Sequence, residues 1–353
     1  MNQLIIIGNG FDLAHGLKTS YKDFILDLLS SEVSNPKRRE IDKEKDLIAI
    51  NNDGYYFEKS FDTINQYNDF IERYGINVQY DNFFKKTLEQ CETNNWVNIE
   101  KLYYIKLQEI LRGGINDIFT FYDFHQSYLN EVTDLNKSLD LIKSELHKYL
   151  NSIYSIPDEC NSEIKSHIEN IIKLSHKSGS PKEKTHILNF NYTSTIDIYL
   201  KSHDPNLYYI NNIHGQLNDK ENPIIFGYGD ETNDMYSKIE DFDENELTRN
   251  MKSFHYLMRE NYQTLFEFLE KDKFDVNIMG HSCGISDRVL FNSIFQHEQL
   301  NKIRIYYHMK DEKNNDFFEK TQNISRYFDM SLKHRMRTKI LPFKKCHPLT
   351  SYK

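Results

Sequence analysis

The feature that most constrains the fold is the start of the chain, where a buried strand runs into two closely spaced glycines. Leu4-Ile5-Ile6-Ile7 is a continuous aliphatic run, which is typical of a strand covered on both faces of a parallel sheet. The Gly8-Asn9-Gly10 that follows lets the backbone turn sharply and lets a ligand lie against peptide N–H groups. Many nucleotide-binding α/β sheets open with such a strand, glycine turn and helix start. We therefore expect an α/β sheet with a ligand at this turn.

Two glycines also occur in tight turns that bind nothing, so that alternative stays open. The dinucleotide fingerprint of dehydrogenases is not met, because Leu13 stands where a third glycine or an alanine belongs. Asp27 and Glu32 fall in a stretch with helical spacing, not at the end of a strand where an acidic residue would hold a ribose. The pattern therefore argues against hydride transfer. Asp12 could cap the next helix or contact a ribose, but it would repel a bare phosphate.

Length, charge and cysteine usage exclude several classes of protein. A chain of 353 residues exceeds the size at which one core keeps growing, so we expect a core domain plus an insertion. The net charge of −9 argues against nucleic acid as a partner. The four cysteines show no zinc-site spacing, which predicts reduced thiols and no metal. No apolar run reaches the roughly 18 residues of a membrane helix, and the first is too short for a signal peptide. We expect a soluble, cytoplasmic protein.

The first half of the chain has mainly helical spacing of apolar residues. Thr19 or Ser20 is the expected cap of the first long helix. The charged stretch 34–56 is predicted to be a loop, and 175–184 a linker. The predicted helices of this half span residues 21–29, 82–91, 98–111 and 135–150.

The second half alternates between strands and helices, which is typical of a mostly parallel sheet. Predicted strands span 186–190, 208–213, 224–226, 276–279 and 303–307, and predicted helices 195–201, 251–270 and 288–295. The fold class is therefore α/β, with a Rossmann-like, mostly parallel sheet and a large helical insertion after the first strand and helix. We expect residues 1–30 and 184–310 to form the sheet core, 31–183 the insertion, and 311–353 a helical or irregular extension.

Four short polar segments follow predicted strands, and in open α/β sheets ligands bind beyond the carboxyl ends of the strands. They are Gly8-Asn9-Gly10, the Asn189–Thr193 segment, His214-Gly215 and Gly280-His281-Ser282. If their strands are neighbours, all four meet in one crevice.

Two residues in these segments have side chains suited to catalysis. The Asn191 carboxamide can donate to and accept from a sugar hydroxyl or a water, although an asparagine here can also simply form a turn or cap. His214 is a candidate general base, with Gly215 clearing room beside it, although a lone histidine is more often structural. Asp287 is expected to cap the helix that follows Gly280-His281-Ser282.

The opening Gly-Asn-Gly-Phe-Asp-Leu-Ala-His-Gly-Leu-x-Thr-Ser-Tyr resembles the signature of the AbiH family of bacterial phage abortive-infection proteins. The resemblance extends through Trp96-x3-Glu100-x2-Tyr103, Asn189–Thr193, Ile213-His214-Gly215 and the segment from Gly280 to Asp287. That family in turn resembles the sirtuin-like fold. The resemblance implies a defence effector built on a sirtuin-like NAD-binding core.

By this resemblance the residues at the carboxyl ends of the strands take up parts of an NAD site. Gly8, Asn9 and Gly10 would hold the pyrophosphate, and Asn191 the nicotinamide ribose. His214 would be the base, Gly280 and Ser282 would lie by the adenosine ribose, and Gly16 would close the cofactor loop. The implied catalytic residues are His214 and Asn191. The implied NAD-binding residues are Gly8, Asn9, Gly10, Phe11, Asp12, Gly16, Tyr192, Gly215, Gly280, His281 and Ser282.

The chain also departs from the sirtuin pattern. Thr193 stands where sirtuins have an aspartate, and the cysteine quartet of zinc-bearing sirtuins is missing. The resemblance therefore implies hydrolysis of NAD as the substrate and not protein deacylation. A homo-oligomer or a phage-derived trigger would regulate such an activity.

Two alternatives stay open. A non-catalytic sensor of NAD or ADP-ribose would keep the glycine turn without needing the base. Arg249-Asn250 followed by His255 resembles the Arg–His pair of metal-independent ribonucleases found in defence systems.

Overall fold

The computed structural model describes residues 1–35, 41–42, 44–51, 59–94, 98–116, 121–176, 184–228 and 234–352. The strands are β1 (Asn2–Ile7), β2 (Ile48–Asn51), β3 (Asn77–Tyr80), β4 (Thr185–Asn189), β5 (Tyr208–Asn212), β6 (Phe274–Met279), β7 (Leu300–Tyr307) and β8 (His347–Pro348). The helices are α1 (Asn9–Leu13), α2 (Tyr21–Ser34), α3 (Ile64–Tyr74), α4 (Asn82–Asn94), α5 (Ile99–Asn116), α6 (Phe121–Ile153), α7 (Ser162–His176), α8 (Asp197–Leu200), α9 (Asp234–Asp241), α10 (Asn245–Thr248), α11 (Lys252–Tyr256), α12 (Asn261–Lys271), α13 (Arg288–Phe295), α14 (Phe317–Ser325) and α15 (Lys333–Lys339).

Six strands form one sheet in the order β5-β4-β1-β6-β7-β8, and every neighbouring pair is parallel. Numbered along the chain within this sheet, the order is 3-2-1-4-5-6, which is that of doubly wound nucleotide-binding sheets. The predicted α/β class with a parallel sheet is confirmed. The chain leaves β1 toward one edge of the sheet and resumes at β6 toward the other, and such a switch point opens a crevice at the carboxyl ends of the strands.

The central strand is buried on both faces, as its aliphatic run predicts. Leu4 and Ile6 pack into one core with residues of α12 and α13, whereas Ile5 and Ile7 pack into a second core with residues of α7. All four side chains are at most 1% exposed. Helix α7 contacts β1 and β4, and β8 pairs with the end of β7, so both the insertion and the extension predicted from the sequence contribute elements to the sheet core. The exact domain boundaries stay a prediction.

The helices of the insertion form a third core with α2. The predicted helices at 82–91, 98–111 and 135–150 are confirmed as parts of α4, α5 and α6. Ser20 is the cap of α2, since its hydroxyl accepts the Asp23 amide and the Asp23 carboxylate accepts the Ser20 amide. No helix among the described residues is long and apolar enough to cross a membrane.

Three predictions of secondary structure were wrong. The loop predicted at 34–56 contains β2, which pairs antiparallel with β3. The short apolar run Leu47-Ile48-Ala49-Ile50 is buried, which favours a strand there. Residues 36–40, 43 and 52–58 of the predicted loop lie outside the described residues. Residues 224–226 are buried coil, and their apolar side chains pack into the first and third cores instead of joining the sheet. The helix predicted at 251–270 is two helices, α11 and α12. Most of the predicted linker, residues 177–183, lies outside the described residues.

Candidate active site

The four predicted segments lie at the carboxyl ends of β1, β4, β5 and β6, which are adjacent in the sheet. The Asn191 carboxamide donates to the Gly8 carbonyl over 3.2 Å, and the Gly10 amide donates to the Gly280 carbonyl over 2.8 Å. The His214 ring reaches across to Asp287, in the loop after β6. The side chains and backbone of these segments therefore meet at one end of the sheet.

The two turns after β1 and β6 pack so tightly that they exclude side chains at three glycines. A Cβ on Gly8 would lie 2.4 Å from the His281 ring, and one on Gly10 would lie 2.7 Å from the Gly280 oxygen. Gly280 has φ +72, and its Cβ would lie 2.1 Å from the Phe11 nitrogen. The amides of Gly8, Gly10 and Phe11 all donate to backbone carbonyls. Packing accounts for these glycines, so their role as phosphate ligands stays a prediction.

A buried carboxyl group lies beside this turn. Asp12 is 1% exposed, and its Oδ2 accepts the Thr193 hydroxyl over 2.6 Å. Burial raises the pKa of Asp12 to about 6, although the hydrogen bond from Thr193 and the nearby polar groups of Thr195 and Asn191 oppose the rise. Its Oδ1 is buried and accepts no hydrogen bond from any of the described residues. Since an unmet buried acceptor is costly, Oδ1 is suited to a donor on a ligand.

Thr193 stands where the sirtuin pattern has an aspartate, and the structure gives a physical reason. Its Oγ1 is a donor to Asp12 and also accepts the Thr195 hydroxyl over 3.3 Å. An aspartate at 193 would place a second carboxylate against the buried Asp12 carboxylate, and like charges at such a distance repel strongly.

His214 is oriented by a buried carboxylate. Its Nε2 lies 3.0 Å from Asp287 Oδ1 and 3.0 Å from the Tyr256 hydroxyl, and the ring is nearly buried. Burial alone would raise the pKa of Asp287, but Lys252 and His214 outweigh it and hold that pKa well below its ordinary value. An ionised carboxylate can only accept, so Nε2 carries a proton, and Nδ1 is the ring nitrogen left to accept one.

The turn at Gly215 fixes the backbone beneath this histidine. Gly215 has φ +83, and a Cβ there would lie 2.2 Å from the Pro223 oxygen. The Ile225 amide donates to the His214 carbonyl over 2.7 Å, and the Tyr192 hydroxyl donates to the Ile225 carbonyl over 3.1 Å. The apolar residues predicted as a strand thus hold His214 in place.

A fully buried lysine completes the charge around His214. Lys252 is 0% exposed, and its Nζ lies 2.8 Å from Asp287 Oδ1 and 2.9 Å from Glu100 Oε1. Burial alone would lower the pKa of Lys252, but the two carboxylates outweigh it and raise the pKa above its ordinary value. Glu100 also accepts the Gly227 amide over 3.1 Å. We call Glu100, Lys252, Asp287 and His214 the charged cluster.

His281 does not have the environment of a base. Its ring packs between Phe190 and Phe291, at centroid distances of 4.4 and 5.0 Å, and its Nδ1 accepts the Cys283 amide. Burial lowers the pKa of His281 to about 3. The ring is therefore neutral at physiological pH and forms part of the wall of the site.

Of four other predicted NAD-binding residues, one is buried and three are exposed. Phe11 is fully buried against the His15 and Tyr199 rings, and Asn9 is exposed with its oxygen bonded to the Thr19 hydroxyl. Gly16 is exposed with φ +76, and a Cβ there would have no described residue within 4 Å apart from its chain neighbours. Ser282 is exposed, and its carbonyl accepts the Asn323 carboxamide. As ligand residues, all four stay predictions.

Sequence reasoning missed most of the charged cluster. Asp287 is the N-cap residue of α13, but its carboxylate does not cap the helix because it is bonded to Lys252 and His214. Lys252 and Tyr256 carry no motif in the sequence. Glu100 could have been noticed only because it stands in a segment that resembles AbiH proteins. Trp96 of that segment lies outside the described residues.

The residues of the ribonuclease alternative are adjacent but engaged. His255 Nε2 lies 2.9 Å from the Arg249 carbonyl oxygen, and the Arg249 guanidinium is 2.6 Å from Asp140 and 3.5 Å from Glu246. Two carboxylates at the guanidinium oppose an approaching phosphate.

The fold and site define a parallel α/β protein with a histidine–aspartate pair at the carboxyl ends of its central strands. A family model described as "Bacteriophage abortive infection AbiH" matches residues 4–309, and the chain belongs to this family. Family membership assigns the protein to defence against phage by abortive infection. No curated protein matches the chain.

Proposed function

We propose that the protein is an abortive-infection effector that hydrolyses NAD at the bond between nicotinamide and ribose. The observation that carries the proposal is the His214–Asp287 pair, at the carboxyl edge of a sheet with the strand order of nucleotide-binding folds. Asp12 Oδ1, to which no described residue donates, supports it, because a ribose hydroxyl or a carboxamide N–H would satisfy that oxygen.

In the proposed reaction the C1′–N bond breaks and nicotinamide leaves with the bonding electrons as a neutral molecule. Since the pyridinium is already cationic, the leaving group needs no proton, and positive charge develops on the ribose. A water oxygen then bonds to C1′, and its proton passes to His214 Nδ1. Such a base contributes roughly 10²–10⁴-fold to the rate. Asn191 orients the water through its carboxamide oxygen, because its Nδ2 already donates to Gly8.

The charged cluster also supports a reaction in which positive charge develops. Lys252 carries one positive charge against the two carboxylates of Glu100 and Asp287, so these three groups sum to −1. Fixed negative charge in a buried site favours a transition state that becomes cationic nearby.

The direct test is to incubate the full-length protein with NAD and to separate nicotinamide and ADP-ribose by chromatography, with and without phage lysate. We expect turnover by the wild type and a loss of at least about 100-fold in His214→Ala and Asn191→Ala. His255→Ala is the matched control and should retain wild-type turnover. No turnover under any condition, or equal turnover in His214→Ala, would refute the proposal.

A second candidate is a nucleotide sensor, which would use the buried acceptor Asp12 Oδ1 to bind a ligand and would need no base. It predicts that the protein binds NAD or ADP-ribose without turnover and that His214→Ala keeps phage defence intact. Isothermal titration of NAD and a plaque assay on this variant separate the two candidates.

A further inference from the structure

We infer that Lys252 is a positioning residue of this site, which acts on His214 through Asp287, and that Glu100 holds Lys252 in place. The three contacts are continuous, at 2.9 Å from Glu100 to Lys252, 2.8 Å from Lys252 to Asp287 and 3.0 Å from Asp287 to His214. All four side chains of the charged cluster are 8% exposed or less. The four groups therefore interact with one another more strongly than with solvent.

The charge of Asp287 can be balanced by the Lys252 ammonium or by a protonated His214 ring. Both Lys252 Nζ and His214 Nε2 contact the same oxygen, Asp287 Oδ1. With the ammonium present, the carboxylate is stabilised and His214 can stay neutral with Nδ1 as an acceptor. Without it, His214 would be the remaining contact of Asp287 that could become cationic, and the loss of one positive charge between two buried carboxylates favours protonation of the ring. A protonated ring has no basic nitrogen left.

Glu100 makes the helical insertion part of the site. Glu100 lies on α5, Lys252 on α11 and Asp287 at the start of α13. The second bond to Glu100, from the Gly227 amide, anchors its carboxylate to the segment that also covers His214. A displacement of α5 would remove one of the two carboxylates that hold Lys252 and would leave the ammonium less firmly placed against Asp287.

This inference rests on the proposed function, since the state of His214 matters only if the ring acts as the base. Its test does not need NAD, so the two can fail separately. The ionisable groups in and around the cluster are Glu100, Lys252, Asp287, Tyr256, Tyr192, Tyr21, His281 and, through its effect on His281, Lys320.

The experiment is nitrogen-15 NMR of the histidine rings in full-length protein at about neutral pH, with His214→Gln used to assign the signal. The wild type should show His214 as the neutral tautomer protonated on Nε2. Lys252→Met should show both ring nitrogens protonated at the same pH. The matched control is Lys320→Met, which removes another buried lysine, 3.2 Å from Asp316, and should leave the His214 signal unchanged.

If Lys252→Met does not fold, the same NMR measurement is made on the double variant Lys252→Met with Glu100→Gln. It leaves Asp287 as the one buried carboxylate of the cluster, with His214 in contact with it, and should show the same protonated ring. An unchanged neutral His214 in whichever of these variants folds would overturn the inference, as would the same change in Lys320→Met. With NAD as substrate, the inference predicts that kcat falls at least about ten-fold in Lys252→Met while KM changes less than about three-fold.

Discussion

Asp12 should make the stability of this protein fall as the pH rises, and Asp12→Asn should remove that fall. The carboxyl is buried, and its pKa is about 6 against an ordinary value of 3.8. A group whose pKa is raised in the folded state binds its proton more tightly there than in the unfolded chain. Its stabilising contribution is therefore complete below the unfolded value and is lost as the pH rises through the folded value.

The magnitude follows from the two pKa values. A difference from 3.8 to about 6 corresponds to about 3 kcal/mol of unfolding free energy, at roughly 1.4 kcal/mol for each pH unit. An asparagine resembles the protonated carboxyl, and its oxygen can still accept the Thr193 hydroxyl. We expect Asp12→Asn to match the wild type near pH 4 and to be more stable by up to about 3 kcal/mol near pH 8.

Urea unfolding followed by circular dichroism, at intervals from about pH 4 to about pH 8, measures this difference. Asp69→Asn, at an exposed position of α3, is the control and should track the wild type throughout. A variant that is less stable than the wild type near pH 8, or a difference that does not change with pH, would refute the reasoning about Asp12.

Three further predictions concern stability and the Asp12 environment. Gly280→Ala should lower the free energy of unfolding in urea by more than about 3 kcal/mol, because its Cβ would lie 2.1 Å from a backbone nitrogen. Gly16 has a similar φ but open space for a Cβ among the described residues, so Gly16→Ala should lower it by about 1 kcal/mol. Equal costs would contradict the packing of the two turns. Thr193→Val should raise the pKa of Asp12 above about 6, as seen in a carbon-13 NMR titration of its carboxyl, since a stabilising hydrogen bond is lost; an unchanged pKa would show that the bond is unimportant. Ser20→Ala should cost about 1 kcal/mol through loss of the cap, and a cost near zero would contradict its role in α2.

The fold class could be predicted from sequence because its strongest signals are local. The run Leu4–Ile7 predicts a strand covered on both faces, and β1 lies at the centre of the sheet with helices on each side. Residues 224–226 have the same composition as a short strand but make no ladder. Their burial comes from contacts with the insertion and with the His214 turn, which are distant in sequence.

The candidate site was predicted where a motif marks a turn and missed where a contact is long-range. His214 is followed by a glycine that the turn requires, so a local signal exists. Lys252 is an ordinary lysine at the start of a short helix, and only tertiary structure places it between Glu100 and Asp287. For Asp287 the local expectation, a helix cap, gave way to stronger ion pairs.

We propose that phage defence by this protein proceeds through NAD cleavage at His214. The most direct measurement is the NAD content of bacteria expressing the wild type or His214→Ala, sampled through a phage infection and compared with plaque counts from the same cultures. We expect NAD to fall and plaques to be suppressed only with the wild type. Suppression of plaques while NAD stays constant, or equal protection by His214→Ala, would contradict it.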